Sequence, residues 1–259
     1  MPDTPDRFAH LIDDWKEMLS VPWIDLHHSI SPHNIARHLG KPPLRVLDVG
    51  GGHGVNSIHY AKQGHSVTLF DCSPAMLEEA RKSAEEEGVA DQLTFLEGDA
   101  DAIQELLRGQ QFGLIICHLM IEMVADANAL LRNMCNILTP GGFLSVLDVN
   151  RYSHAFVEAF INKNLEDAID AVGVKEYYHR WVDREAPRFS AEEIIEQLEP
   201  NGCTLAGQYG ISCVNHWLPN EPKSDPEYFA ELVRLEHRLT DTYPYYLLAR
   251  FYQVIAEKG

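Results

Sequence analysis

The sequence predicts a doubly wound, mostly parallel α/β sheet of seven strands. Three observations predict it. From residue 45 to 150, short apolar runs rich in β-branched residues alternate with helical stretches, the pattern of successive βα units. The runs are apolar nearly throughout, as in strands covered on both faces. The first run also ends in a glycine-rich turn, Gly50-Gly51-Gly52-His53-Gly54, that opens a helix. Ligands of such sheets bind outside the carboxyl ends of the strands.

The elements follow in order. Residues 1–40 read as an N-terminal helical segment anchored by Trp15, Met18, Leu19, Trp23, Leu26 and Ile30, with Pro22 and Pro32 breaking the run. Strands are expected at 45–49, 66–70, 93–97, 112–118 and 143–149. Helices are expected at 55–63, 75–87, 102–107 and 127–138. Ser73-Pro74 supplies an N-cap with proline at the first helical position, and Gly88 ends that helix. Pro140-Gly141-Gly142 reads as a sharp turn into the fifth strand. The alternation then stops. Residues 152–172 look helical, followed by the aromatic run Tyr177-Tyr178-His179-Arg180-Trp181. It resumes with a helix at 191–198, a strand at 204–214, a helix at 228–239 and a last strand at 246–256. One main domain, 41–259, therefore carries lid-like insertions at about 150–189 and 215–245, after the fifth and sixth strands.

Composition narrows the function. The chain has 259 residues, enough for one large core with appendages. It carries 21 basic and 39 acidic residues, a net charge of −18. General nucleic-acid or anionic-membrane binding wants the opposite sign. No apolar stretch is long enough for a membrane span, and the start Met1-Pro2-Asp3-Thr4-Pro5-Asp6 lacks the basic and apolar regions of a secretory signal. Five cysteines without a CxxC pair suggest neither a disulfide framework nor a zinc site. The spacing of His27, His28, His33 and His38 matches no standard zinc pattern. A cytoplasmic protein without a resident metal is expected; the oligomeric state stays open.

The chemistry lies in the glycine turn. A dinucleotide fingerprint needs a third glycine where Val55 stands. A phosphate loop needs a lysine that is absent. The third reading is an S-adenosylmethionine turn, in which the Asp48 carboxylate ahead of the glycines suits an ammonium group and would repel a pyrophosphate. Asp71 ends the second strand, where a carboxylate can hold a ribose or simply form a turn. Gly98-Asp99-Ala100 follows the third strand, either reading an adenine edge or capping a helix.

Taken with Leu138-Thr139-Pro140-Gly141-Gly142, these segments make the sequence resemble the class I S-adenosylmethionine-dependent methyltransferases, with their Rossmann-like fold. The resemblance implies S-adenosylmethionine as cofactor. It implies that Gly50, Gly51 and Gly52 approach the methionine moiety, that Asp71 holds the ribose, and that Cys72, Ser73 and Met76 border the adenine. Asp99 and Ala100, with Asp101 beside them, would read the adenine edge. Within that class the chain is similar to the bacterial tRNA wobble-uridine carboxymethyltransferases, which methylate the carboxylate of 5-carboxymethoxyuridine. The carrying residues are the run 114–124 with His118, the helix at 228–239 and Ala249-Arg250-Phe251-Tyr252. This implies a cofactor contact for His118. Two features depart from those relatives. The N-terminal helix reads Leu26-His27-His28 where they carry a cofactor arginine, and the nearest arginine is Arg37. The stretch 175–188 has four positive and three negative residues where theirs is lysine-rich.

No Asp-Pro-Pro-Tyr element follows the fourth strand, which reads Cys117-His118-Leu119-Met120, and there is no Pro-Cys nucleophile. Oxygen acceptors remain, a modified tRNA or a small acidic or aromatic metabolite. A carboxylate acceptor needs no general base, whereas a hydroxyl does. His118 is the candidate base, cofactor contact or plain polar group. Tyr177, Tyr178 and Trp181 are candidates for a stacking lid or for core. Arg180, Arg184, Arg234 and Arg250 are candidates for holding an anionic acceptor. A binding protein without transferase activity is the reading from another class.

Overall fold

The computed structural model describes residues 21, 26–40, 43–179 and 182–259. Its centre is a seven-stranded sheet in the order β3-β2-β1-β4-β5-β9-β8. The strands are β1 (Arg45–Val49), β2 (Ser66–Asp71), β3 (Leu93–Glu97), β4 (Phe112–His118), β5 (Leu138–Val149), β8 (Cys203–Ile211) and β9 (Phe251–Lys258). β1 to β5 pair in parallel, and β9 runs antiparallel to both β5 and β8. The order turns back at β1 and β4, which makes the switch point where such sheets bind ligands.

Helices cover both faces because the strands are apolar on both. Leu47, Ile115, Cys117, Val146 and Val254 pack on one side against α5 (Ala127–Asn136) and α7 (Ala191–Leu198). Val46, Val67, Leu114, Ile116 and Ile255 pack on the other against α1 (His27–Ala36), α2 (Val55–Lys62) and α3 (Pro74–Glu86). In α5 the buried residues Ala127, Leu130, Leu131, Met134 and Cys135 follow the helical period. The Ser73 hydroxyl caps α3 by accepting from Met76 N, with Pro74 at the first position. α7 opens with a full capping box between Ser190 and Glu193. A four-residue α4 (Ile103–Leu106) lies between β3 and β4.

Several elements differ from expectation, each for a local reason. α1 continues through Pro32; its buried face, Ile30, Ser31, Asn34 and Ile35, is held on the sheet, which outweighs the lost backbone bond. The other N-terminal anchors lie outside the described residues, except for Leu26 and Ile30, which are buried. Pro140-Gly141-Gly142 is no turn. β5 begins at Leu138, and Gly141, at φ +74°, absorbs a bulge that shifts the register against β4. The single helix expected at 152–172 is broken. Helical turns span 151–161, Lys163 takes φ +55°, and Asn164 caps a separate α6 (Leu165–Asp170). Tyr177 and Tyr178 lie in a hairpin of β6 (Glu176–His179) and β7 (Arg184–Pro187). The last strand starts at Phe251 because Tyr245–Leu248 coils over β8, where Gly210 leaves room for the Tyr246 backbone.

β8 stops at Ile211, short of Val214, because a buried carboxylate gathers the next backbone. Glu236, on α8 (Pro226–Leu239), accepts from Cys213 N at 2.8 Å, Val214 N at 2.9 Å and Asn215 N at 2.7 Å. The second insertion, between β8 and β9, is thereby tied to the same sheet edge as the first, since Val149 and Ile211 both pair with Phe251. Replacing Glu236 by Ala strands three buried N–H groups. At roughly 1–3 kcal/mol each, the Glu236→Ala variant should lose at least about 3 kcal/mol in urea unfolding, and Glu236→Gln about half as much. A loss below about 1 kcal/mol in the alanine variant would mean the loop does not depend on this carboxylate.

Candidate active site

The glycine turn is shaped by its backbone. Gly50, Gly52 and Gly54 take φ of +68°, +52° and +88°, values that side chains resist. Gly50 N donates to Phe70 O at 2.7 Å, which holds the turn against the end of β2. A side chain at Gly52 would project into open space, with nothing within 4 Å. At Gly52 the turn therefore presents bare backbone to open space at the carboxyl edge of the sheet.

Two acidic residues brace it. Asp48 is buried beneath Gly51 and accepts from Ser57 Oγ at 2.7 Å. Burial above all, with the nearby Asp71 charge, pushes its carboxyl up to about 6. Asp71 accepts from Gly52 N at 2.9 Å through one oxygen and from Ser73 N at 2.8 Å through the other. Burial raises its pKa, and these backbone donors oppose the rise. Each oxygen retains a second lone pair. Cys72 is half-buried, Met76 is buried, and the Cys72 thiol is pushed up to about 11 by burial and Asp71. Asp99 is exposed and accepts from Asp101 N at 3.2 Å, and Ala100 beneath it is buried. The sequence-picked residues from β1, β2 and β3 thus line adjoining strand ends.

His118, at the end of β4, meets Ser145 Oγ at 2.9 Å through Nε2. Ser145 begins a buried polar chain. Its Oγ accepts from Gln253 Nε2 at 3.0 Å, which also donates to Ser31 O, and Gln253 Oε1 accepts from Asn34 Nδ2 at 3.0 Å. Asn34 in turn donates to Thr240 Oγ1 at 2.9 Å. The site histidine is thus tied to α1, β5, β9 and the second insertion.

Beyond β4 and β5 lies a second titratable cluster, in which the expected Tyr177 and Arg250 meet Asp148, Glu122 and Arg188, which sequence reading had not picked. Asp148, buried in β5, accepts from Ile121 N at 3.0 Å and Val149 N at 2.7 Å. Burial, and then the Glu122 charge, raise its pKa well above the usual carboxylate range. Glu122 is buried, with His179 Nε2 at 3.7 Å. Arg188 lies over the Tyr177 ring at 3.8 Å. Arg250 donates to Ser153 Oγ at 3.0 Å, and burial and then Arg188 push its pKa down to about 10. A signal for this cluster did exist: Asp148 is the lone acid in its strand, as Asp48 is in β1.

The expected substrate residues separate. Tyr177 faces inward to this cluster, while Tyr178 is 59% exposed and bonded to Asp183, so the two do not form one lid. They alternate across a hairpin strand and point to opposite faces. Arg180 and Trp181 lie outside the described residues. Arg184 donates to Val124 O at 2.7 Å and to Glu185 O at 2.9 Å. Arg234 is 75% exposed and paired with Glu231. Arg37 pairs with Asp241 at 2.7 Å, away from the glycine turn. Among the described residues, Arg250 is the one expected arginine that sits beside this cluster.

A methyltransferase domain family matches residues 46–142. Over 239 residues the chain is 30% identical to the tRNA 5-carboxymethoxyuridine methyltransferase of Escherichia coli K12, covering 92% of this chain and 87% of that protein. The chain belongs to the S-adenosylmethionine-dependent methyltransferases. This methyltransferase is also 33% identical over 167 residues to the ubiquinone biosynthesis O-methyltransferase of Xylella fastidiosa, covering 60% of this chain and 63% of that one. Its fold matches an S-adenosylmethionine-dependent methyltransferase of Thermotoga maritima, described as a possible histamine N-methyltransferase. That match has a TM-score of 0.66, 18% identity and coverage of 99% of this chain and 100% of the other. S-adenosylmethionine is the cofactor, and the bare glycine backbone beside two braced carboxylates fits a zwitterionic nucleoside. Among the described residues no helix is long and apolar enough to cross a membrane.

The raised Asp48 pKa has a stability consequence. The folded value of about 6 exceeds the unfolded 3.8, so the folded state binds this proton more tightly. That stabilisation is complete below pH 3.8 and lost as pH rises through about 6, on the order of 3 kcal/mol in all. In urea unfolding, Asp48→Asn should therefore gain on the parent chain between pH 4 and pH 8. An equal difference at both pH values would show that Asp48 is ionised throughout.

Proposed function

We propose that this methyltransferase transfers the methyl group to a carboxylate oxygen, that of 5-carboxymethoxyuridine in tRNA. The observation that carries the reading is the extent of the likeness to the Escherichia coli enzyme. It covers 92% of the chain and so runs past the sheet into the insertions, while the likeness to the ubiquinone O-methyltransferase covers 60%. Acceptor choice resides in such appended segments rather than in the shared sheet.

In this reading Asp71 receives the ribose hydroxyls on the lone pairs left beyond Gly52 N and Ser73 N. The backbone at Gly50, Gly51 and Gly52 faces the methionine end, and the Asp48 charge favours an ammonium group above the turn. Cys72, Ser73 and Met76 border the adenine on one side, with Asp99, Ala100 and Asp101 at its edge. When bound, the cofactor supplies an electrophilic methyl group on a sulfonium. The chain's part is to align the acceptor and exclude water. An ionised carboxylate is already a nucleophile, so no side chain has to remove a proton. His118, with Nε2 engaged by Ser145, serves as a positioning contact and not as a base. The net charge of −18 favours a second reading, a small-metabolite O-methyltransferase, which the same assay tests.

Labelled S-adenosylmethionine should place its methyl group in tRNA from cells lacking this protein, and mild alkali should release it as methanol, as expected of a methyl ester. Label confined to a small-molecule extract would select the second reading, and alkali-stable label would exclude a carboxylate acceptor. The rate constant kcat should be level from pH 6.5 to 9; a rise through the imidazole range would restore His118 as a base. Asp71→Ala should weaken S-adenosylhomocysteine binding by about 10- to 100-fold in calorimetry, from the loss of charge-assisted bonds. Unchanged affinity would remove Asp71 from the ribose site.

A further inference from the structure

We infer that Arg188 and Arg250 form a subsite for the acceptor's carboxylate, with Phe156, Phe160 and Trp217 as the platform for its ring. This deepens the carboxylate reading above and rests on it. Arg188 follows the β6–β7 hairpin of the first insertion. Arg250 immediately precedes β9 at the end of the second, its carbonyl accepting from Asn150 N at 3.0 Å. The two insertions therefore meet at the end of β5, beside Glu122 and Asp148.

The two guanidinium groups are unlike the chain's structural arginines. Arg151 pairs with Glu193 at 2.6 Å and Arg37 with Asp241 at 2.7 Å. Among the described residues, neither Arg188 nor Arg250 forms an ion pair. Nε and one Nη of Arg188, and Nε of Arg250, are buried without a hydrogen-bond partner. A buried guanidinium N–H without an acceptor is costly, and two neighbouring guanidinium groups repel each other. A bound carboxylate removes both costs, because its oxygens match the planar donor fork. The Tyr177 ring under Arg188 fixes that fork from below.

An aromatic surface adjoins them. Phe156 stacks on Phe160 with ring centroids 5.9 Å apart, and Trp217 approaches both at 5.8 Å and 6.2 Å. Phe160 is 59% exposed. Trp217 is oriented by its Nε1 bond to Cys213 O at 3.1 Å, in the loop that Glu236 gathers. Arg250 N donates to Ser212 O at 3.2 Å, next to the Cys213 that holds Trp217, and its guanidinium reaches Ser153, three residues before Phe156, so the guanidinium and the platform share one neighbourhood. A planar ring on the aromatics and a carboxylate on the arginines describe an arene or nucleobase bearing a short acidic arm. A stacked ring contributes affinity without base selectivity, which leaves the arginines to discriminate.

The test uses the full chain saturated with S-adenosylhomocysteine and labelled with nitrogen-15 in arginine. The probe is phenoxyacetate, which carries a ring, an ether oxygen, a methylene and a carboxylate. Phenoxyacetamide is its neutral counterpart. The Nε signals of Arg188 and Arg250, assigned through Arg188→Lys and Arg250→Lys, should shift saturably with phenoxyacetate and stay in place with phenoxyacetamide. Arg188→Gln and Arg250→Gln should each weaken phenoxyacetate at least tenfold while leaving S-adenosylhomocysteine affinity within twofold, which also certifies the fold. Trp217→Ala should weaken both probes alike. Static Nε signals, equal response to the amide, or full affinity in the glutamine variants would overturn the subsite. The probe contains no nucleotide, so a positive result stands even if tRNA takes no label. Conversely, labelled tRNA with unmoved arginines would sink the subsite and leave the transferase reading intact.

Discussion

The Asp71 carboxylate joins two turns that would otherwise be independent. One oxygen holds Gly52 N and the other holds Ser73 N, so the glycine turn after β1 and the start of α3 after β2 share one rigid support. A carboxylate buried in this way is held in place only by its donors. Behind it, Asp48 and Ser57 brace the turn from below. The strand ends proposed to hold the cofactor are thus braced by the protein itself, which suits a methyl transfer in which alignment supplies much of the rate.

The proposed acceptor end is built differently, where two insertions return to the end of β5. Glu236 fixes the second by holding three backbone amides. The first is fixed by Arg151 and Lys175 on Glu193. The polar chain from His118 through Ser145, Gln253 and Asn34 links the end of β4 to α1 and to the second insertion. A shared scaffold with separate acceptor walls is how one fold hosts many substrates, and the partial likeness to ubiquinone biosynthesis O-methyltransferases follows from it.

The strands and the turns that close them were readable because local rules decide them. Apolar runs mark doubly covered strands, glycines mark positive φ, and Ser73-Pro74 marks a helix start. The misreadings came where tertiary forces override local ones. Pro32 stays inside α1 because its neighbours are buried. β8 ends early because Glu236, more than twenty residues away, captures its continuation. Tyr177 and Tyr178 are adjacent in sequence and, as neighbours in a strand, face opposite ways.

By itself the sequence determined the seven-stranded α/β class, the glycine turn, and the acidic residues that end successive strands. These are properties of contiguous segments, fixed by periodicity and backbone sterics. Only the tertiary structure decided which charges meet. Arg184 became a support for the Val124 carbonyl, Arg234 a solvated side chain, and Arg188 and Arg250 neighbours at one edge although 62 positions separate them. No local pattern encodes such a meeting, because a guanidinium's role is set by which acceptors the folded chain places within its reach, and that distance exists only after the insertions have packed.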